Sequence, residues 1–272
     1  MNQLNVGRRA QIIHHLVEGN SIRATCRLTD SAKNTIVKLL CQVGTVCADY
    51  QDRTLRNLKC RRIQCDEIWS FIGCKQKQIG PQHQGKHWGD AWTWTALDAD
   101  TKLVPCWHVG PRDANSAYHF IHDLKSRLAH RIQLTTDGLK IYVEAIESAF
   151  GCEIDYGMLV KLYGAAPEGA QVRYSPAICL ASRKSRITGN PDFDHISTSF
   201  MERRTSRCEC RCGASPGLPT LFQRRLRITS TPSRSISCIT ILPAFTRHCG
   251  SLRLWKPGFA ITSGRLRKSL NC

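Results

Sequence analysis

Two adjacent acids lie in a stretch, residues 62–71, that has the composition of a β-strand. Its sequence is Arg-Ile-Gln-Cys-Asp-Glu-Ile-Trp-Ser-Phe, so apolar and β-forming residues flank Asp66 and Glu67, and no Gly or Pro interrupts before Gly73. Burying an acid in such a strand is costly unless the acid is paired or binds a metal ion. We therefore expect an α/β domain in which this strand carries a functional acid.

Register decides which of the two acids faces the site, because a shift of one residue exchanges the two faces of a strand. Asp66 is the candidate, but the residue pattern alone does not favour it. Two alternatives stay open: Asp66 is a buried structural acid, or Glu67 is the ligand and Asp66 faces away.

Two further acids complete a candidate metal site. Asp137 follows the apolar run that starts at Ile132, and Glu202 lies in residues 195–203. Three separated carboxylates suit Mg²⁺ (or Mn²⁺), which prefers oxygen ligands, takes few of them from protein and leaves room for phosphate. The sequence therefore predicts a metal site made of Asp66, Asp137 and Glu202. The alternative for Asp137, which precedes Gly138, is an ordinary turn residue.

The charge balance indicates a polyanionic partner. The net charge is +18, from 39 Lys and Arg against 21 Asp and Glu, as is typical of nucleic-acid-binding proteins. No run approaches 18 apolar residues and no apolar signal region begins the chain, so we expect a cytoplasmic protein without membrane contact. The 15 cysteines are expected to be reduced thiols, and their spacing predicts no structural zinc.

Residues 8–44 predict three short helices. Ser21 is a candidate N-cap for the second, and Asp30 or Ser31 for the third. The third helix has an amphipathic stripe of Ile36, Leu39, Leu40 and Val43. Its polar face presents four candidate DNA-binding residues, Lys33, Asn34, Lys38 and Gln42. The pattern fits a helix-turn-helix domain over residues 1–50 and, equally, a small helical bundle with a solvated polar face.

Residues 51–61 are predicted to be a basic linker. The cations in and beside it are Arg53, Arg56, Lys59, Arg61 and Arg62. They fit an arm that contacts DNA phosphates, and the alternative is a solvated connection.

From residue 62 the chain alternates between strand and helix patterns. Strands are predicted at 62–71, 92–97, 103–109, 132–136 and 154–162, with helices before and after the fourth strand. This order suits a mixed sheet with helices on both faces. Residues 164–194, rich in Pro and Gly, are predicted to be an insertion that either lies against DNA or loops out, and a last helix is expected to begin near His195 or Ser197.

In this order the motifs resemble those of a known family. The order is a helix-turn-helix, a basic linker, Cys-Asp-Glu-Ile-Trp at residues 65–69, Leu-Thr-Thr-Asp-Gly at 134–138 and Met-Glu-Arg at 201–203. It is similar to that of transposases of the insertion-sequence IS1 family over roughly residues 8–203. The resemblance implies a ribonuclease-H-like catalytic core over residues 62–203, in which Asp66, Asp137 and Glu202 match the family's catalytic acids.

The resemblance also implies an activity and partners. A DDE transposase uses Mg²⁺ (or Mn²⁺) to cleave DNA strands at the ends of a mobile element and join them to target DNA. The expected partner is double-stranded DNA in the nucleoid of a bacterium, and a homo-oligomer is expected because two element ends must be synapsed. A DNA-binding protein with a catalytically dead core, and a nuclease that cuts without joining, are the alternatives.

After Glu202-Arg203 the family pattern stops. Residues 204–272 contain one acid, Glu209, against thirteen Lys and Arg, and they show no sustained helix or strand period. This composition is typical of out-of-frame translation, so we predict a frameshift near codon 204, with a genuine basic DNA-binding tail as the alternative. The frameshift hypothesis predicts a poorly ordered tail and a weak or inactive transposase.

Overall fold

The computed structural model describes five parts of the chain, residues 4–81, 88–164, 179–202, 259–262 and 265–268. The chain divides into two compact units, one of Met1–Thr54 with Thr231–Cys272 and the other of Leu55–Ser230. Every helix in the described parts is too short or too polar to cross a membrane.

Three helices form the described N-terminal part of the first unit. They are α1 (Val6–Val17), α2 (Ile22–Thr29) and α3 (Lys33–Thr54). The predicted apolar stripe of α3 is buried against residues of α1, in a cluster of Ile12, Ile13, Leu16, Ile36, Leu39, Leu40 and Val43. Ser21 caps α2 as predicted, because its side chain accepts a hydrogen bond from the Ala24 N–H.

The start of α3 differs from the prediction. Asp30 is the C-cap residue of α2 and not the N-cap of α3. Its backbone lies in the left-handed region, with a φ of 44°, which a short polar side chain tolerates. The Ser31 hydroxyl donates to the Thr29 carbonyl oxygen. The Ile36 N–H bonds to the Ala32 carbonyl oxygen, so Ala32 occupies the N-cap position.

The second unit is built on a six-stranded mixed sheet flanked by helices, which confirms the predicted mixed α/β architecture. Its elements are β1 (Arg62–Ile72), β2 (Gly89–Asp98), β3 (Trp107–Gly110), α4 (Ala114–Arg127), β4 (Gln133–Asp137), α5 (Ile141–Phe150), β5 (Asp155–Tyr163) and β6 (Cys179–Thr188). The strand order is β3-β2-β1-β4-β5-β6. β1, β4 and β5 are parallel, and β2, β3 and β6 each run antiparallel to a neighbour.

Each face of the sheet has its own apolar cluster. On one face Cys65 and Trp94 pack with Phe120 of α4 and Tyr142 of α5, all nearly inaccessible to solvent. Alternate residues of a strand face opposite sides, so Gln64 and its cross-strand partner Leu97 lie on the other face. There Leu97, Val104 and Met201 form a small cluster, and residues 199–202 form the helical turn expected near Ser197.

Two segments are more structured than predicted. α3 continues through residues 51–54, and the following part of the predicted linker belongs to the second unit. In that part Leu58 exchanges backbone hydrogen bonds with residues at the end of α4, and Cys60 is buried. β6 lies inside the predicted insertion 164–194 and pairs antiparallel with β5.

Most of the tail lies outside the described residues. Of residues 204–272 the structure describes β7 (Phe259–Thr262) and β8 (Arg265–Lys268), which pair antiparallel. The prediction that this tail is poorly ordered therefore stays a prediction.

Candidate metal centre

The register of the central parallel strands brings two of the predicted acids together. β1 and β4 pair from Arg62–Gln133 to Gln64–Thr135. Asp66 and Asp137 each follow two residues after the last pair, so they lie side by side on the same face of the sheet. Asp137 is the last residue of β4, where carboxyl ends of parallel strands open a binding crevice.

Three carboxylates converge at this position. One oxygen from each of Asp66, Glu67 and Asp137 lies within 4.8 Å of the other two. This is the single group of three or more potential metal-ligating side chains among the described residues. Glu67, which the sequence left as an alternative ligand, thus contributes to the cluster together with Asp66 and does not replace it.

Asp66 has little compensation for its charge. Its Oδ1 accepts a hydrogen bond of 2.9 Å from the Glu67 N–H, whereas Oδ2 has no hydrogen-bond partner among the described residues. Burial, followed by the charges of Glu67 and Asp137, raises the pKa of Asp66 from 3.8 to about 7. The cross-strand neighbour of Asp66, Thr95, also has a buried hydroxyl without a partner in the described structure. A hydrated cation would supply partners to both groups, so these residues fit a divalent metal ion.

Glu67 is held rigidly on the opposite face of the strand. Its side chain is 1 % exposed. Oε2 accepts hydrogen bonds from Nε and Nη2 of Arg112, at 3.1 and 3.0 Å, and Oε1 accepts one from the Tyr142 hydroxyl. Burial and the Asp137 charge raise the pKa of Glu67, against the lowering effect of these hydrogen bonds. Both carboxylate oxygens of Glu67 therefore already accept hydrogen bonds from protein side chains.

Asp137, the third acid of the cluster, lies beside the guanidinium of Arg112. Its Oδ1 accepts a hydrogen bond of 3.0 Å from the Leu139 N–H, which fixes the carboxylate at the end of β4. Its Oδ2 lies 3.7 Å from Nη2 of Arg112, which is an ion pair but longer than a hydrogen bond. Oδ2 thus remains able to bind a metal ion.

Glu202 lies outside the cluster. It is on the same face as Asp66, and its charge contributes to the raised pKa of Asp66. Its Oε1 instead bonds to Nζ of Lys161 at 2.5 Å and to the Thr198 hydroxyl. Desolvation raises the pKa of Glu202, but the bonds from Lys161 and Thr198 outweigh it and the pKa is lowered. The structure therefore brings Asp66 and Asp137 together with Glu67 and holds Glu202 at Lys161, and the metal-binding role of Asp66, Asp137 and Glu202 stays a prediction.

Gln64 connects the acid strand to the turn that carries Glu202. Its buried side-chain Oε1 accepts hydrogen bonds from the N–H groups of Phe200 and Met201, at 3.1 and 3.3 Å. These N–H groups belong to the first helical turn, where side chains outside the helix commonly accept such bonds. Gln64 therefore fixes where Glu202 lies relative to Asp66.

The predicted DNA-binding residues divide into two groups. Lys33, Asn34, Lys38 and Gln42 are all exposed on α3, and Asn34 and Lys38 lie opposite its buried stripe. Arg53, Arg56, Lys59 and Arg61 are also exposed, although Arg53 bonds to the Asp49 carbonyl oxygen and Arg56 to the Ser126 hydroxyl. Arg62 forms an ion pair with Asp100, which reduces its availability for phosphate.

Sequence reasoning missed two residues of the site, Arg112 and Tyr142. Arg112 is 45 residues from Glu67 along the chain and Tyr142 is 75 residues away. Tyr142 is a recognisable residue of an amphipathic helix, but its bond to an acid depends on tertiary packing alone. Arg112 belongs to no motif in the sequence.

Comparison with known proteins adds no identification. No family model matches this chain, and no curated protein matches it.

Proposed function

We propose that this protein is a transposase of the DDE type that uses a divalent metal ion, Mg²⁺ or Mn²⁺, to cleave and transfer DNA strands. The observation that supports this most directly is the convergence of Asp66 and Asp137 from the adjacent parallel strands β1 and β4. Oxygen ligands of this kind select hard divalent cations and leave coordination positions for phosphate.

The strand order supports a ribonuclease-H-like interpretation of the core. An antiparallel β3-β2-β1 meander continues into parallel β4 and β5, with α4 and α5 connecting successive strands. The acids occupy its central strands, as the motifs of the IS1-family resemblance require. β6 is an additional edge strand beyond the five predicted.

The chain's own residues have distinct roles in this proposal. Oδ2 of Asp66 and Oδ2 of Asp137 would hold the cation. A carboxyl group binds a metal ion only when it is deprotonated. Because the pKa of Asp66 is raised to about 7, metal binding near or below neutral pH would release its proton. When bound, the cation would activate a water or DNA 3′-hydroxyl and neutralise charge on the phosphate. Arg112 and Tyr142 keep Glu67 in place behind these ligands.

The first unit is proposed to bind DNA through a helix-turn-helix. The exposed residues of α3 support this, because Lys33, Asn34, Lys38 and Gln42 are accessible and lie outside the buried stripe. Insertion-sequence ends and target DNA are the proposed partners, with a homo-oligomer synapsing two ends. The expectation of a cytoplasmic, nucleoid-associated protein follows from this function.

One observation favours a second candidate, a DNA-binding protein with an inactive core. Glu202 is bonded to Lys161 and Thr198, outside the acidic cluster. A third carboxylate held away from the metal would weaken catalysis, because ligands must be placed to within about 0.5 Å. In this case DNA binding and metal binding persist while strand transfer is lost.

The test is a strand-cleavage and strand-transfer assay on duplexes from the ends of the DNA element that encodes the chain, with Mg²⁺ or Mn²⁺. A transposase gives nicked and joined products that disappear in Asp66→Asn and Asp137→Asn, while duplex binding is retained. Asp155→Asn, which removes an acid from the far end of β5, is the control and should retain activity. Products that persist in Asp66→Asn would overturn the assignment.

A further inference from the structure

Arg112 has an unusual position for a structural ion-pair residue. It is the only described cation within ion-pair distance of the acidic cluster, and its side chain is 37 % exposed. Nε and Nη2 both donate to one oxygen of Glu67, whereas Nη1 has no hydrogen bond or ion pair with another described residue. One edge of the guanidinium is thus occupied and the other is available to a ligand.

The guanidinium is also fixed in place. Its Cζ lies over the Trp92 ring, 4.8 Å from the ring centroid. The backbone is anchored on both sides, since the buried Trp94 indole donates to the Pro111 carbonyl oxygen and Asp113 caps the start of α4. Little conformational entropy remains for Arg112 to lose on binding a ligand.

The charges around Arg112 define the ligand it suits. Asp66, Glu67 and Asp137 repel any anion, so a phosphate that approaches a cation bound between Asp66 and Asp137 needs a second positive group beside it. A guanidinium matches phosphate oxygens in geometry and is always charged. We propose that Arg112 is a phosphate-binding residue of this site, which donates from Nη1 to a non-bridging oxygen of the DNA phosphate being cleaved.

This inference rests on the proposed function and adds a residue to it. In enzymes with an oxyanion hole, removing one fixed donor aimed at charge that develops in the transition state slows the reaction about 10²–10³-fold. The competing explanation is structural: Arg112 only neutralises the buried Glu67. Removing Arg112 alone would leave an unpaired buried carboxylate and destabilise the fold for that reason.

The experiment removes the ion pair as a whole. Glu67→Gln, and the double variant Arg112→Gln with Glu67→Gln, both lack the buried charge, and the Gln64-held turn and Asp66 stay untouched. The double variant Arg131→Gln with Asp155→Asn is the matched control, because it removes a two-bond Arg–Asp pair at the opposite end of β4. Thermal melting of all three variants verifies that each is folded.

Two readouts are measured, cleavage of the element-end duplex in Mn²⁺ and the salt dependence of duplex binding in Ca²⁺. Relative to Glu67→Gln, the Arg112 double variant should cleave at least about 100-fold more slowly. Its log–log salt slope should be shallower by about 0.9, the value for one lost phosphate contact. The Arg131 double variant should change neither readout.

The outcomes distinguish a failure of the phosphate-binding role of Arg112 from a failure of the transposase proposal. If the wild type cleaves and the Arg112 double variant cleaves as fast as Glu67→Gln, Arg112 is structural and the inference is overturned. If the wild type does not cleave, the transposase proposal fails, and an unchanged salt slope overturns the phosphate contact as well. A shallower slope without cleavage would support the contact in a protein with an inactive core.

Discussion

Replacement of Asp66 by Asn should stabilise the metal-free protein at neutral and alkaline pH. Asp66 is buried near Glu67 and Asp137, and its pKa is raised to about 7 from an ordinary 3.8. The folded protein therefore binds this proton more tightly than the unfolded chain does. The amide of Asn keeps the acceptor oxygen for the Glu67 N–H and removes the charge.

Proton linkage gives the sign of this stability difference and the pH range in which it appears. Below pH 3.8 the carboxyl is protonated in both states and the two proteins should differ little. As pH rises from 3.8 to about 7, ionisation in the unfolded state progressively destabilises the wild type, and the cost is constant above that. A shift of this size corresponds to at most about 4 kcal/mol, and relaxation around the site will reduce it.

The assay is thermal and urea unfolding in EDTA at pH 5 and pH 8. For a domain of this size, a gain of about 2 kcal/mol raises the melting temperature by about 4–8 °C, so the effect at pH 8 is measurable. Asp155→Asn is the control, because the pKa of Asp155 is lowered by its hydrogen bond with Arg131 and its loss should destabilise. Equal destabilisation by Asp66→Asn at both pH values would refute the reasoning.

Three further predictions concern the metal, the Glu202 turn and DNA. The apparent affinity for Mn²⁺ should rise about tenfold per pH unit between pH 5 and 7 and level off above 7, because binding displaces the Asp66 proton. Calorimetry in buffers of different ionisation enthalpy measures the released proton, and an affinity that does not change with pH contradicts the prediction. Gln64→Ala should cost about 1–3 kcal/mol and speed hydrogen exchange at Phe200 and Met201, whereas Gln133→Ala, which removes the side-chain bonds to Asp192, should leave that exchange unchanged. Lys38→Ala should weaken duplex binding and reduce the salt slope by about 0.9; an unchanged slope would remove Lys38 from the DNA interface.

The sequence was sufficient to predict those helices and strands whose apolar residues recur with a regular period. The α3 stripe and the strand at residues 62–71 formed as predicted, because their apolar residues have one consistent face to bury. The sequence also placed Asp66 and Asp137 each in a strand pattern, and the parallel pairing of β1 with β4 brings the middle of β1 beside the end of β4. Here local pattern and tertiary structure agree.

Other features depend on contacts that no local pattern records. β6 has almost no buried side chains, so it lacks the alternation that marks a half-buried strand, and its backbone pairing with β5 defines it. The engagement of Glu202 by Lys161 depends on where the turn at residues 199–202 packs. The attachment of Arg112 and Tyr142 to Glu67 likewise joins segments far apart in the chain.

The central claim is that Asp66 and Asp137 bind a divalent cation, and calorimetric titration of the full chain with Mn²⁺ at pH 7.5 tests it without requiring catalysis. We expect saturable binding in the wild type that is lost in Asp137→Asn and preserved in Asp155→Asn. Binding that is unchanged in Asp137→Asn, or absent from a folded wild type, would contradict the account.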